Sequence, residues 1–336
     1  MSHHRRILAA FLGALVCLTV ALPAQQNTFT RAEPAATTVV IAGGEIAGTD
    51  AIFPSQAAGT VPSTPSTGQM KTFSRSVAGR AMLASVGPTG LNTSYQPFLG
   101  RNAIAFWQAP GNANTVPTAV GAAAVTATGT ATAANIATTN AHTYIRRLDY
   151  LVTVAATTAV AGWRSAASMW SVGGTTAGFG GFHYVTRFGP ATGVATTTHR
   201  LFVGMSANTS APTDVEPSTL VSMVGLCYDA ADTNIAVCHN DGSGSATKVD
   251  LGASFPVPSA DRTKVFELVL FSKPGTTQEV QYEVTDLGTG SVATGTLSTN
   301  LPTTSTFLSP RGWMSVGGTS SVIGIAFISQ YLESDY

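Results

Sequence analysis

From residue 143 onward, short apolar-rich stretches recur at regular intervals between polar turn signals, and in places apolar and polar residues alternate with a period of two. Residues 279–284 show the pattern most cleanly: Glu279, Gln281 and Glu283 fall on one face, Val280, Tyr282 and Val284 on the other. That spacing predicts a β-strand with one wet face. Further strands are predicted over 144–153, 164–170, 181–188, 200–205, 264–271, 292–297, 311–316 and 322–332. Gly173-Gly174, Gly189-Pro190 and Lys273-Pro274-Gly275 punctuate them, the last as a hairpin. Residues 223–251 read as strand, tight turn, strand, glycine turn, strand. About a dozen strands with no intervening helices predict an all-β jelly-roll sandwich of the concanavalin-like kind.

The first hundred residues are less regular. Residues 1–24 carry His3-His4-Arg5-Arg6, an apolar run over 7–22 and then Pro23-Ala24. This is the anatomy of a secretion signal, too short for the roughly 20 apolar residues of a membrane span. An anchoring helix, or a true start further on, for instance at Met70, are the other readings. Residues 25–69 show no sustained periodicity beyond one strand at 38–41. They end in a Pro/Ser/Thr/Gly linker and read as an extended, poorly structured arm. Residues 70–100 form a lead-in or docking segment, in which 74–83 suits a short helix or a strand equally. The sandwich is then placed at 101–336. It begins with a strand at 103–107 stopped by Pro110-Gly111, followed by Ala/Thr/Gly-rich sequence over 112–140 that offers one or two poor strands. Ser171-Val-Gly-Gly-Thr-Thr176 recurs as Ser315-Val-Gly-Gly-Thr-Ser320, each after a strand containing a tryptophan. Two equivalent edges of one sandwich would explain the echo.

Composition sharpens this picture in one respect. Only 10% of the 336 residues are charged, against roughly 25% in an ordinary soluble domain. Small uncharged residues take their place and suit surfaces that pack against copies of themselves. With 17 basic and 17 acidic residues the formal net charge is zero. That argues against nucleic acid as a partner, because such affinity comes largely from phosphate neutralisation.

Five phrases resemble a known family: residues 210–220, 228–234, 239–255, 297–302 and 328–336. Ser-Ala-Pro-Thr-Asp-Val-Glu-Pro-Ser-Thr-Leu opens the first and His-Asn-Asp-Gly-Ser-Gly-Ser the third. They are similar to virion structural proteins of tailed bacteriophages, of the tail-fibre or appendage type. The resemblance spans residues 70–336 and is clearest from 179. It implies a concanavalin-like jelly roll in a virion appendage that assembles as a homotrimer with copies of itself. It further implies contact with other virion proteins and with a host-surface glycan. It carries over no catalytic residue. Residues 1–24 depart from the family, since virion proteins assemble in the host cytoplasm. They support the alternative, a secreted lectin-like adhesin or carbohydrate-binding protein of a bacterium.

Residues 223–251 hold the densest polar constellation. Asp229, Asp232, Asn234, Asn240, Asp241 and Asp250 supply the oxygens that calcium prefers. They are equally what β-turns need, and no spacing matches a calcium loop. A turn centred between Asp232 and Thr233 would set Cys227 opposite Cys238, about 4.5–5.5 Å apart between Cα atoms and close enough for a disulfide. Two buried thiols are the other reading. A glycosidase would need two carboxyls about 5–9.5 Å apart. Glu279 and Glu283 are spaced roughly 13 Å along one strand, and Glu333 with Asp335 sits at the chain end. No nucleophile elbow, phosphate loop or zinc-ligand motif occurs, and His183 and His239 read as structural residues on strands. We therefore expect no enzyme. Sugar contacts fall to Trp163, expected to be exposed at a strand start beside Gly162, and to Asp229, Asp232, Asn240 and Asp241. Trp107, Trp170, Trp313, Phe179, Phe182 and Tyr184 could join Trp163 in a sugar-stacking platform, with core packing the default reading for strand aromatics.

Overall fold

A computed structural model describes residues 55–56, 61–90, 92–94, 103–111, 113–134, 146–174, 180–191, 198–258, 264–275 and 277–334. The leader segment, the strand expected at 38–41, Phe179 and Asp335 lie outside the described residues. Residues 53–336 cluster into one compact unit. Its first part is a four-stranded sheet of β1 (Ser55–Gln56), β2 (Lys71–Val77), β3 (Arg80–Val86) and β4 (Asn92–Ser94), in that order. The stretch that suited either helix or strand is the β2–β3 hairpin. Its bend uses Ala78 and Gly79, both at positive φ (48° and 73°). A helix cannot continue through two left-handed residues. Phe73, Ala84 and Val86 form the buried side of this sheet, with Val61 against them.

The remaining strands build a sandwich of two antiparallel sheets. In chain order they are β5 (Ala103–Gln108), β6 (Val125–Thr128), β7 (Thr130–Ala134), β8 (Arg147–Ala156), β9 (Val160–Ser165), β10 (Phe182–Pro190) and β11 (Arg200–Ser206). They continue with β12 (Met223–Tyr228), β13 (Ala236–Asn240), β14 (Thr247–Asp250), β15 (Phe266–Ser272), β16 (Val280–Asp286), β17 (Val292–Leu297), β18 (Ser309–Ser315) and β19 (Ser321–Ser334). One sheet runs β17-β16-β15-β10-β19-β8-β7, with β5 pairing the C-terminal half of β19 where β8 leaves off. The other runs β14-β13-β12-β11-β18-β9-β6. This is the expected all-β jelly-roll sandwich. Residues 166–170, expected to extend β9, instead leave the sheet, and Trp170 makes a lone bridge to Leu308.

Even-numbered residues of β10, β15 and β16 face inward: Phe182, Tyr184, Phe266, Leu268, Leu270, Val280, Tyr282 and Val284 all join the main core. The sandwich departs from simple alternation because both outer faces are also covered in part. Loop 207–222 lies on the outside of the seven-stranded sheet, where Val215 and Leu220 pack on Phe202, Met223, Trp313 and the two cysteines. Val77 and Ala78 of the β2–β3 bend lie on the outside of the eight-stranded sheet, over Val269. The face expected to be wet on β16 is therefore dry at Glu283, which is 3% exposed.

Cys227 and Cys238 meet, by a different register from the one the sequence suggests. Pairing runs Cys227↔Ala236 and Gly225↔Cys238, so the cysteines are diagonal rather than opposite. The turn closes earlier because Asp232 N–H donates to the Asp229 carbonyl (3.1 Å). Residues 233–235 are drawn away to pair with 251–257 through Ile235 N–H to Phe255 O (2.8 Å) and Val257 N–H to Thr233 O (3.0 Å). The diagonal pair, 5.9 Å between Cα atoms, is joined through its sulfurs, within the usual span of a disulfide. Closing this 11-residue separation stabilises by on the order of 2–3 kcal/mol. Protein isolated under oxidising conditions should therefore take up alkylating agent at Cys227 and Cys238 only after reduction. Peptide mass mapping of alkylated, denatured protein reads this, and labelling of both without reductant would show free thiols.

Candidate functional site

The polar constellation at 223–251 spends its side chains on its own backbone. Asp229 Oδ1 accepts from Ser218 N–H (3.0 Å) and Asp232 Oδ2 from Asp229 N–H (2.8 Å). Both carboxylates converge on Lys248, whose ammonium lies 3.1 Å from Asp229 Oδ2 and also contacts Asp232. Burial pushes the Asp229 pKa up, but the Ser218 and Lys248 hydrogen bonds outweigh it and hold the carboxyl below its usual range. Asn240 Oδ1 accepts from Gly242 N–H (2.6 Å) and its amide donates to Ser243 O (2.9 Å). Asp241 Oδ1 accepts from Ser243 N–H (3.0 Å). These are Asx turns. The Lys248 ammonium stands where Asp229 and Asp232 would hold a cation, so the pair does not fit calcium. Among the described residues no group of three or more His, Cys, Asp or Glu is arranged to hold a metal.

Trp163 is not exposed. It is 1% accessible, stacked on Trp107 at 6.0 Å and edge-on to Phe327 at 5.1 Å. Its neighbour Gly162 faces the opposite side of the sheet, where a Cβ would lie 2.7 Å from the Trp313 Cβ. The glycine marks a close approach between strands rather than an opening.

The concave feature lies elsewhere, at one end of the sandwich. A cleft of about 540 Å³ is bounded by Met169, Trp170 and Ser171 after β9 and by Thr304, Ser305 and Phe307 before β18. Gly180 and Gly181 before β10, and Ser334 at the end of β19, also line it. Its volume falls within the roughly 300–1,000 Å³ of small-ligand sites. Two loops more than a hundred residues apart are tied together by Trp170 N–H to Leu308 O (3.2 Å) and Leu308 N–H to Trp170 O (2.6 Å). Gly181 N–H donates to Ser171 O (2.9 Å). Gly181 has φ +104°, and a Cβ there would sit 2.7 Å from the Pro274 nitrogen, so no other residue fits without movement.

Phe307 is 59% exposed and Met169 43%, which leaves an aromatic face and a thioether open to solvent at the cleft. The remaining described lining is the Trp170 indole, Ala103, the hydroxyls of Ser171, Thr304, Ser305 and Ser334, and three glycines, with no charged side chain among the described residues. Along the rim, Thr303 Oγ1 meets Thr306 Oγ1 at 2.7 Å. An open aromatic ring flanked by hydroxyls suits a ligand with apolar faces and many hydroxyls. Of these residues only Trp170 was weighed from the sequence as an aromatic for sugar contact, and it was read mainly as core; Phe307 and Met169 were not singled out. The one local signal is Phe307 itself, a lone aromatic in Thr303-Thr-Ser-Thr-Phe-Leu-Ser309.

No protein-family model matches this chain, and no curated protein matches it. Among solved structures it is similar to lectin II from Ulex europaeus, with 14% identity, a TM-score of 0.39, and 62% of this chain and 91% of that one covered. It is similar also to peanut lectin, with 11% identity, a TM-score of 0.42, and 69% and 97% covered. A protein of unknown function from Shewanella oneidensis gives 8% identity, a TM-score of 0.42, and 68% and 85% covered.

Proposed function

We propose that this protein binds uncharged carbohydrate in the cleft at Phe307 and performs no catalysis on it. One observation carries the reading: an exposed phenyl ring beside a cleft of about 540 Å³ whose described lining is rich in hydroxyls and holds no charged side chain. Sugar rings present an apolar C–H face that packs on an aromatic ring, while their hydroxyls exchange hydrogen bonds with Ser and Thr. Among the described lining residues there is no carboxylate to act as acid, base or nucleophile. The joined cysteines and the basic-then-apolar leader at 1–24 support export to an oxidising compartment.

Screening purified protein on an immobilised glycan panel tests this, followed by titration of the best neutral glycan. Phe307→Ala should weaken that affinity by about 10-fold or more, since truncating an aromatic anchor commonly costs above 1 kcal/mol. Equal binding by the variant would remove the cleft from the reading. The second reading, a trimeric virion appendage, is favoured by the five sequence phrases. Peptide mass mapping of purified particles would separate it from an exported protein.

A further inference from the structure

The β2–β3 hairpin reaches the cleft through a buried ionic contact. Arg80 of β3 forms an ion pair with Glu333 and lies 2.9 Å from His183 Nδ1. His183 and Glu333 are direct partners across the β10–β19 ladder, 3% and 1% exposed. Tyr331 donates its hydroxyl to the same Glu333 carboxylate, and the Arg80 guanidinium lies 5.9 Å from the Phe271 ring centroid. At the bend, Ala78 N–H donates to Glu283 Oε2 (3.4 Å). The residues on either side of this knot are cleft residues: Ser334 follows Glu333, and Gly181 lies two positions before His183.

We propose that the β2–β3 hairpin is a clamp on the cleft, in which Arg80 holds the Gly181 and Ser334 wall through His183 and Glu333, and protonation of His183 releases it. Because Nδ1 takes an N–H from Arg80, the His183 proton sits on Nε2, which is buried without a partner. A second proton would place an N–H on Nδ1, facing a guanidinium that can only donate. Burial, and then the Arg80 charge, lower the His183 pKa from 6.5 to about 3. The docked hairpin thus favours neutral imidazole: docking is at full strength above pH 6.5 and weakens as pH falls toward 3. At pH 4.5 the weakening reaches about 100-fold at most, because the burial of His183 between β15 and β19 lowers its pKa whether or not the hairpin is docked.

The other charged groups around the knot set the background. Glu283 on β16 is raised by burial, partly countered by Ala78 N–H and Arg75, and raised further by Glu267. Its protonation favours docking in acid and so opposes release. Lys273 and Glu279 neutralise each other at 2.7 Å, as do Arg187 and Glu267 at 2.5 Å.

The clamp concerns the same cleft and so rests on the carbohydrate reading for its purpose, but its test needs no ligand. Hydrogen exchange of two amides, corrected for intrinsic rate, reads it. Ala78 N–H reports the hairpin and Gly181 N–H reports the wall. In the wild type both should lose protection together, by up to about 100-fold, between pH 7 and pH 4.5. His183→Gln should flatten that change, and Arg80→Met should remove protection of both amides already at pH 7. Glu283→Gln should leave the acid release in place or steepen it. Constant wild-type protection, or an undiminished acid response in His183→Gln, would overturn the clamp. Release of Ala78 without Gly181 would overturn its link to the cleft. If no glycan binds but both amides respond, the carbohydrate reading fails and the clamp stands.

Discussion

Replacing Trp163 by Ala should lower the unfolding free energy by about 3–5 kcal/mol, the usual cost of deleting a buried Trp. The indole lies between the two sheets, 6.0 Å from Trp107 of β5 and 5.1 Å from Phe327 of β19. Its neighbours are ring faces and edges fixed by their own strands, so they cannot collapse far into the void. The Trp163 Nε1 has no hydrogen-bond partner, so the substitution orphans nothing, and the loss is one of packing and transfer. Urea denaturation at pH 7 measures it. Trp163→Phe, which keeps a ring, should cost clearly less. A loss below about 1 kcal/mol would mean that the ring is not a core element. Glycan affinity should be unchanged in folded protein, because Trp163 does not line the cleft.

Asp214→Ala should cost about 2–4 kcal/mol at pH 7, through several charge-assisted hydrogen bonds at a nearly buried carboxylate. Asp214 pins loop 207–222 to the turn between β18 and β19. Its oxygens accept from Gly317 N–H and Gly318 N–H, each at 3.0 Å, and from Arg200 at 2.7 Å. The two glycines, at φ +65° and +81°, aim successive amides at one anion in the manner of a backbone nest. Burial would raise the Asp214 pKa, but hydrogen bonds from Ser315, Gly317, Gly318 and Arg200 outweigh it and bring it below 3.8. A depressed carboxyl contributes stability that is present above its unfolded pKa and lost as pH falls through its folded one. The gap between wild type and Asp214→Ala should therefore shrink on acidification below about pH 4. Paired urea titrations at pH 7 and pH 3 check both parts. A gap of the same size at both would show that the carboxylate charge is not what holds the loop.

The same Gly-Gly pair explains the echo between 171–176 and 315–320. The second copy, at Gly317-Gly318, is an anion nest for Asp214. In the first, Gly173 N–H donates to Ser272 Oγ (2.8 Å) and its Cβ position is filled by the Lys273 carbonyl oxygen, 1.9 Å away. Similar words meet different partners in the two places. The reading of 223–251 fared likewise. Asp229, Asp232, Asn240 and Asp241 act as turn residues, a role legible from their type and spacing. The cation between two of them, Lys248, comes from a third strand.

What the chain determines by itself is local. Alternation at 280–284, the Lys273-Pro274-Gly275 turn and the low charge are enough for strands, hairpins and an all-β class, because side-chain period and turn sterics act over a few residues. Which face of a strand is dry depends on what lies above it. Trp163 turned inward while Gly162 faces Trp313, and Glu283 was buried by a hairpin some two hundred residues earlier in the chain. Partner choice is equally non-local, since a period of two states which side chains share a face but not which strand comes next. The Phe307 cleft exists because Leu308 bridges Trp170 and so joins loops at 169–171 and 304–307, and the Arg80–His183–Glu333 knot because β10 pairs with β19. That pairing closes a long loop whose entropic cost only the assembled core repays.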